Sequence, residues 1–387
     1  MKQFFQTATL LSLLVLGVFG CSQEKGNSAK GGDKPIVTKP DNNADLPLDV
    51  KVVRNIAYYV ILETYKDLSK ESRLLYNQIE ELYRQPSQEN LERAQQAWRN
   101  TRRPWEATEG FLFGPVESLG IDPMIDTWPL NRVDIEAIIS SSHKIDSLFV
   151  KSLGTNVQGF HTIEFLLFGN GETKQKKSLP EMTTREIEYL LATSLVLAEH
   201  TERLAFAWET NENPDDPKTP GYVITIMNPS PDNPRYPSVR SILAEYINGL
   251  IGIVDEVANG KIADPMGDSI NSADVTKVES PFSWNSIADF TDNIESVKAV
   301  YTGDYGAVQG PGIDELIQLK DPQLARQVIS QIDRSIASIQ AISENGTQSF
   351  RQAILKPDGR VRVNQAVQEL HTLFDLLEQK VLPLINQ

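Results

Sequence analysis

The sequence predicts an all-α protein built as two helical bundles. Three observations predict it. Apolar residues recur at steps of three and four along most of the chain, which places them on single helical faces. Gly, Pro and polar caps punctuate those stretches at the ends expected of helices. One proline-dense interruption near the middle splits the chain into halves of bundle size. The 387 residues, 40% hydrophobic and 23% charged, suffice for two cores.

The first helical stretch runs from Val50 to Leu82, with Val53, Ile56, Ala57, Val60, Leu68, Leu75, Ile79 and Leu82 on one face. Ser87 is placed to cap a second helix, from about 88 to 111, in which Pro104 should kink or restart the turn. Residues 114–131 carry Gly, Pro and Asp and read as a structured loop. Short helices follow at 132–140 and 156–168, the latter closed by Gly169-Asn170-Gly171. Thr184 is the expected cap of a long helix reaching Trp208. Residues 211–237 hold seven of the 22 prolines. Within them Tyr222–Met227 is a continuous apolar run, expected to pair locally as a strand. Helices then follow at about 238–258, 284–302, 322–344 and 361–385. The implied organisation is 47–212 for the first bundle, 213–236 for the connection and 237–387 for the second bundle.

The N-terminus reads as an export and anchoring signal. Met1-Lys2 precedes an apolar run, Leu10 to Phe19, too short to span a bilayer and of the length of a signal-peptide core. The single cysteine, Cys21, follows at once, and the arrangement resembles a bacterial lipoprotein signal. It implies a signal peptide over 1–20 and a lipidated Cys21. Residues 21–46 are then a polar tether holding the body at a membrane of the cell envelope. Acidic residues outnumber basic ones, 52 to 37, for a net charge of −15. Such a surface repels phosphate backbones and argues against nucleic acid as a partner. One cysteine and four histidines exclude a disulfide framework and a multi-thiolate zinc site.

The residues with chemical potential lie in Gly159-Phe160-His161-Thr162-Ile163-Glu164. In a helix His161 and Glu164 project to the same side beside an apolar stripe. Imidazole and carboxylate suit a divalent or ferric ion, but two donors leave a coordination sphere incomplete. From spacing alone, a pair satisfying each other at the rim of a core is the stronger reading. Glu369, His371 and Asp375 on the last helix read as a solvated or rim group.

Several blocks share an order with a known family. The G-x-H-x-x-E segment, Arg103-Pro104-Trp105-Glu106 with Thr108-Glu109-Gly110-Phe111, and Asp126-Thr127-Trp128-Pro129 stand in the first half. Ser283-Trp284-Asn285, Asp289, Asn293 and Val300-Tyr301-Thr302-Gly303 stand in the second. Together they resemble the imelysin-like proteins, also called peptidase M75 or the iron-regulated protein A family. The resemblance implies an exported two-bundle helical protein with a polar site near the domain junction and a link to iron uptake. It implies metal ligation, most naturally of iron, by His161 and Glu164 with Glu109 and Asp126, while Arg103, Ser283, Asp289 and Asn293 line the site. A small iron-bearing ligand and other iron-uptake components are the partners it suggests. The peptidase label lacks a catalyst here: there is no H-E-x-x-H and no G-x-S-x-G, and the lone cysteine sits at the anchor. A metallopeptidase using zinc, and a binder of polysaccharide or another large ligand, are the alternatives.

Overall fold

A computed structural model describes residues 45–387 apart from 174 and 175. Cys21, the signal segment and nearly all of the tether lie outside the described residues. In chain order the helices are α1 (Leu48–Asn55), a π-helical stretch (Ile56–Leu62), α2 (Glu63–Arg84), α3 (Gln88–Glu106) and a 3₁₀ turn (Glu109–Phe111). Next come α4 (Pro115–Ser118), α5 (Ile121–Ile125), α6 (Arg132–Ser140), α7 (Ser147–Lys151), α8 (Gly159–Phe168), α9 (Thr184–Glu209) and α10 (Tyr222–Met227). The second half holds α11 (Val239–Asp255), a π-helical stretch (Glu256–Ala263), α12 (Asp264–Met266), α13 (Ser286–Thr302), α14 (Ile313–Lys320) and α15 (Pro322–Ala341). It ends with α16 (Phe350–Ala353), α17 (Pro357–Leu376), a π-helical stretch (Leu377–Val381) and α18 (Leu382–Ile385). No strand occurs among the described residues; one isolated bridge joins Tyr305 and Val308. None of the described helices is long and apolar enough to cross a membrane.

The start signals act largely as expected. Ser87 accepts the Asn90 amide at 3.2 Å and begins α3. The cap of α9 is Thr183, one residue before the expected Thr184, in a reciprocal capping box with Glu186. α3 continues through Pro104 to Glu106. The strand expected over Tyr222–Met227 is a short helix instead. Its buried residues, Tyr222, Val223, Ile226 and Met227, follow helical spacing against the core. A short apolar run does not by itself distinguish the two forms, and no neighbouring strand is present among the described residues to pair with it.

In the first half α2 packs on α3 and α9, and α8 packs on α3 and α9. In the second half α15 packs on α13 and α17, with α11 against α17. The proline-rich connection does not break the packing. α13 lies against α3, α11 lies against the Glu109–Phe111 turn, and the described residues cluster as one unit. Trp98, Trp105 and Trp208 are buried in this continuous core.

One close approach between the halves depends on a glycine. A Cβ on Gly249 of α11 would stand 2.4 Å from the Gly110 carbonyl oxygen, which is backbone and cannot rotate away. Gly249→Ala is therefore expected to lower unfolding free energy by about 2 kcal/mol or more, read by urea unfolding monitored by circular dichroism. A loss below about 0.5 kcal/mol would mean the two halves slide apart freely.

Candidate metal centre

The site begins with the turn that enters α8. Gly159 has φ +76°, and a Cβ there would meet the Ile125 carbonyl oxygen at 2.3 Å. Glycine is thus required both by the backbone conformation and by contact with the end of α5. That contact sets His161, one turn into α8, opposite Asp126, the residue that follows α5. His161 Nε2 lies 3.2 Å from Asp126 Oδ1 without an aligned hydrogen bond. On the other side of the ring, Nδ1 lies 3.3 Å from Glu164 Oε2.

Glu164 is fully engaged. Its Oε1 accepts the Phe282 and Ser283 amides at 3.1 and 2.8 Å and the Ser283 hydroxyl at 2.7 Å. Ser280 and Trp284, at φ 45° and 59°, bracket the turn that aims those amides. Side chains rarely adopt such angles, and strain of this kind concentrates at functional sites. Glu164 therefore orients His161 and ties α8 to the second half. The carboxylate grouped most closely with His161 and Asp126 is that of Glu279. Asp126, His161 and Glu279 each present a donor atom, all within 4.8 Å of one another.

Around these three is a buried ionic network. Arg102, with no exposed side-chain surface, pairs with Glu106 and Asp126, reaches Glu279 at 2.7 Å and has Nε 3.6 Å from Asp289. Trp105 Nε1 donates to Asp126 Oδ2 at 2.5 Å. Lys261, delivered by the π-helical stretch Glu256–Ala263, sits 2.5 Å from Glu109, 3.1 Å from Glu279 and 3.3 Å from Glu106. Asn293 Nδ2 donates to Glu106 Oε2 at 2.7 Å and Glu109 Oε2 at 3.0 Å. Asn285 donates to Asp289 at 2.8 Å and accepts from Arg99 at 2.7 Å. Glu106, Glu109, Asp126 and Glu279 form a second group whose donor atoms fall within 4.8 Å. The Lys261 ammonium stands among three of them.

The protonation states follow from this crowding. Burial pulls the His161 imidazole down, but the adjacent Asp126 carboxylate and the contact with Glu164 outweigh it and raise its pKa to about 9. Burial also raises Asp126, yet Arg102 and His161 hold it well below the ordinary carboxylate range. Glu109 is pushed well up by burial and by Glu106, and Asp289 by burial. Glu106 is raised by burial despite Arg102.

Of the residues expected at the site, His161, Glu164, Glu109, Asp126, Ser283, Asp289 and Asn293 converge here. Arg103 does not: it is exposed and faces Asp292 at 3.6 Å. It lines a separate cavity of about 680 Å³ between α2, α3 and α13. Its neighbour Arg102 is the buried arginine. Trp98, Arg102, Trp105, Glu106 and Glu109 fall at one helical face, so the register of the two tryptophans pointed to Arg102. Glu279 lies four residues before the Ser283 block, and Lys261 carried no motif. The group on the last helix does not assemble: exposed His371 meets Asn259 at 2.9 Å, while Glu369 accepts from Gln331.

The chain matches the sequence profile of the Imelysin family, peptidase M75, over residues 61–377. It belongs to that family. It is 27% identical to Iron-regulated protein A of Synechococcus elongatus over 337 residues, covering 87% of this chain and 86% of that protein. The crystal structure titled as an iron-regulated protein A precursor from Parabacteroides distasonis superposes with a TM-score of 0.76 at 28% identity. That match covers 92% of this imelysin and 97% of the other chain. An imelysin-like protein from Psychrobacter arcticum shares the fold, with a TM-score of 0.68 at 14% identity over 88% and 97% of the two chains.

Two predictions follow from the network of this imelysin. A histidine whose folded pKa is raised stabilises the fold fully below its unfolded value near 6.5, and that contribution is lost as pH rises through about 9. In metal-free protein, the stability advantage of wild type over His161→Gln should therefore shrink by on the order of 2–3 kcal/mol between pH 6 and 9.5 in urea titrations. Arg102→Met leaves Glu106, Asp126 and Glu279 short of a partner and is expected to cost about 3–5 kcal/mol. The same melts check it.

Proposed function

We propose that this imelysin is an envelope-anchored lipoprotein that binds iron, as a free ion or within a small ligand, and serves bacterial iron uptake. The observation that carries the reading is the convergence of His161 Nε2, Asp126 and Glu279 in a buried pocket. One nitrogen and several hard oxygens fit ferrous or ferric iron, and suit zinc less selectively. The buried Nε2 has no aligned hydrogen bond, as expected of an atom kept for a ligand. Glu164 supplies the carboxylate–histidine support usual behind a ligating imidazole, and its loss should weaken binding as such supports do. Arg102 contacts both Asp126 and Glu279, so an arriving cation competes with a guanidinium for their oxygens. The relative named for iron regulation supports iron as the cargo.

The peptidase label is the second reading. Nothing in the network resembles the H-E-x-x-H arrangement, and each acid near His161 is already held by a cation or by backbone amides. Purified protein is expected to leave casein intact with or without chelator. Chelator-sensitive cleavage abolished by Glu164→Gln would reverse this ranking.

Calorimetry with anaerobic ferrous iron is the direct test. His161→Ala should weaken binding at least a hundredfold, and Glu164→Gln by ten- to a hundredfold through loss of ring orientation. Equal affinity of wild type and His161→Ala for iron, zinc and calcium would refute a metal centre at this position.

A further inference from the structure

A cleft of about 720 Å³ opens beside the candidate centre, lined by Trp128, Phe282, Arg132, Lys277, Arg351 and neighbouring residues. Its inner wall is aromatic. The Trp128 ring is 4.7 Å from the His161 ring and 6.0 Å from Phe282. His161 itself is 1% exposed, and Trp128, which lines the cleft, packs on the imidazole.

The charges of the cleft divide unevenly. Lys277 is matched by Asp264 at 2.7 Å. Asp274 is taken by its own turn, accepting the Thr276 amide at 3.0 Å and hydroxyl at 2.6 Å. Glu172 is the remaining acid and is exposed. Arg132 and Arg351 have no carboxylate partner among the described residues. Arg132 lies over the Phe165 ring at 5.3 Å, and Arg351 donates one bond to the Asn170 carbonyl at 3.3 Å. What sets these two arginines apart is their place: both line the same aromatic cleft. There they retain a planar fork of donors for a ligand.

We propose that this cleft binds a di- or tricarboxylate, free or as its ferric chelate, through Arg132 and Arg351 with Trp128 and Phe282 packing on its carbon skeleton. The inference rests on the iron-binding reading of His161 only for the chelate; carboxylate recognition stands on the arginines alone. Arg132 is exposed and Arg351 half-buried, so neither is needed to hold the core together.

The test is calorimetry of the full mature protein with citrate and, separately, with ferric citrate. Wild type is expected to bind both. Arg132→Gln with Arg351→Gln should weaken both at least tenfold without lowering the melting temperature. Arg132→Lys with Arg351→Lys should recover part of the loss, since charge returns without the fork. Tighter binding of ferric citrate identifies the chelate as the ligand, and tighter binding of citrate identifies the free acid; either supports the proposal. Failure of wild type to bind either, or unchanged affinity in the double glutamine variant, overturns it. If citrate binding survives in His161→Ala while iron binding never depended on His161, the cleft assignment stands and the metal reading falls.

Discussion

The arrangement of this protein depends on burying Arg102. A guanidinium removed from water is tolerated only where acceptors surround it, and here they come from four separate segments: α3, the residue after α5, the loop before α13, and α13 itself. Each segment is thereby fixed against the others. The halves on either side of the proline-rich connection meet through this cation as well as through the continuous apolar core. Lys261 repeats the device one layer away, bridging Glu106, Glu109 and Glu279.

The network is not balanced. Glu106, Glu109, Asp126, Glu164, Glu279 and Asp289 face three permanent cations, Arg99, Arg102 and Lys261, and one histidine. Burial makes the surplus negative charge expensive, and the upward shifts of Glu106, Glu109 and Asp289 are its signature: their charged forms are disfavoured. A metal ion there would favour those forms. An apolar core of equal volume would be cheaper, so stability alone does not account for the excess of carboxyls.

Much of this was legible in the residues. Helical periodicity and caps located the long helices because their apolar stripes span many turns, as along α2 and α17. The ambiguity lay where a run was short: Tyr222–Met227 is six residues, too few for a period to declare itself. At the site, His161 and Glu164 were found because i, i+3 spacing is local. Arg102 was mistaken for Arg103 because adjacent residues differ by about 100° around a helix, and only the register of Trp98 and Trp105 separates them. Glu279 and Lys261 arrive from remote segments through tertiary packing, and no local pattern marks such residues.

The roles within the motif also required coordinates. Spacing alone treats His161 and Glu164 as equivalent donors. The turn at Phe282 and Ser283 separates them: three hydrogen bonds occupy Glu164 Oε1, leaving Oε2 to face Nδ1 and Nε2 to face Asp126 and Glu279. A carboxylate so held cannot swing onto an ion without breaking the contact between α8 and the second half. Its work is to fix the ring orientation, which points His161 Nε2 at the acids contributed by other segments.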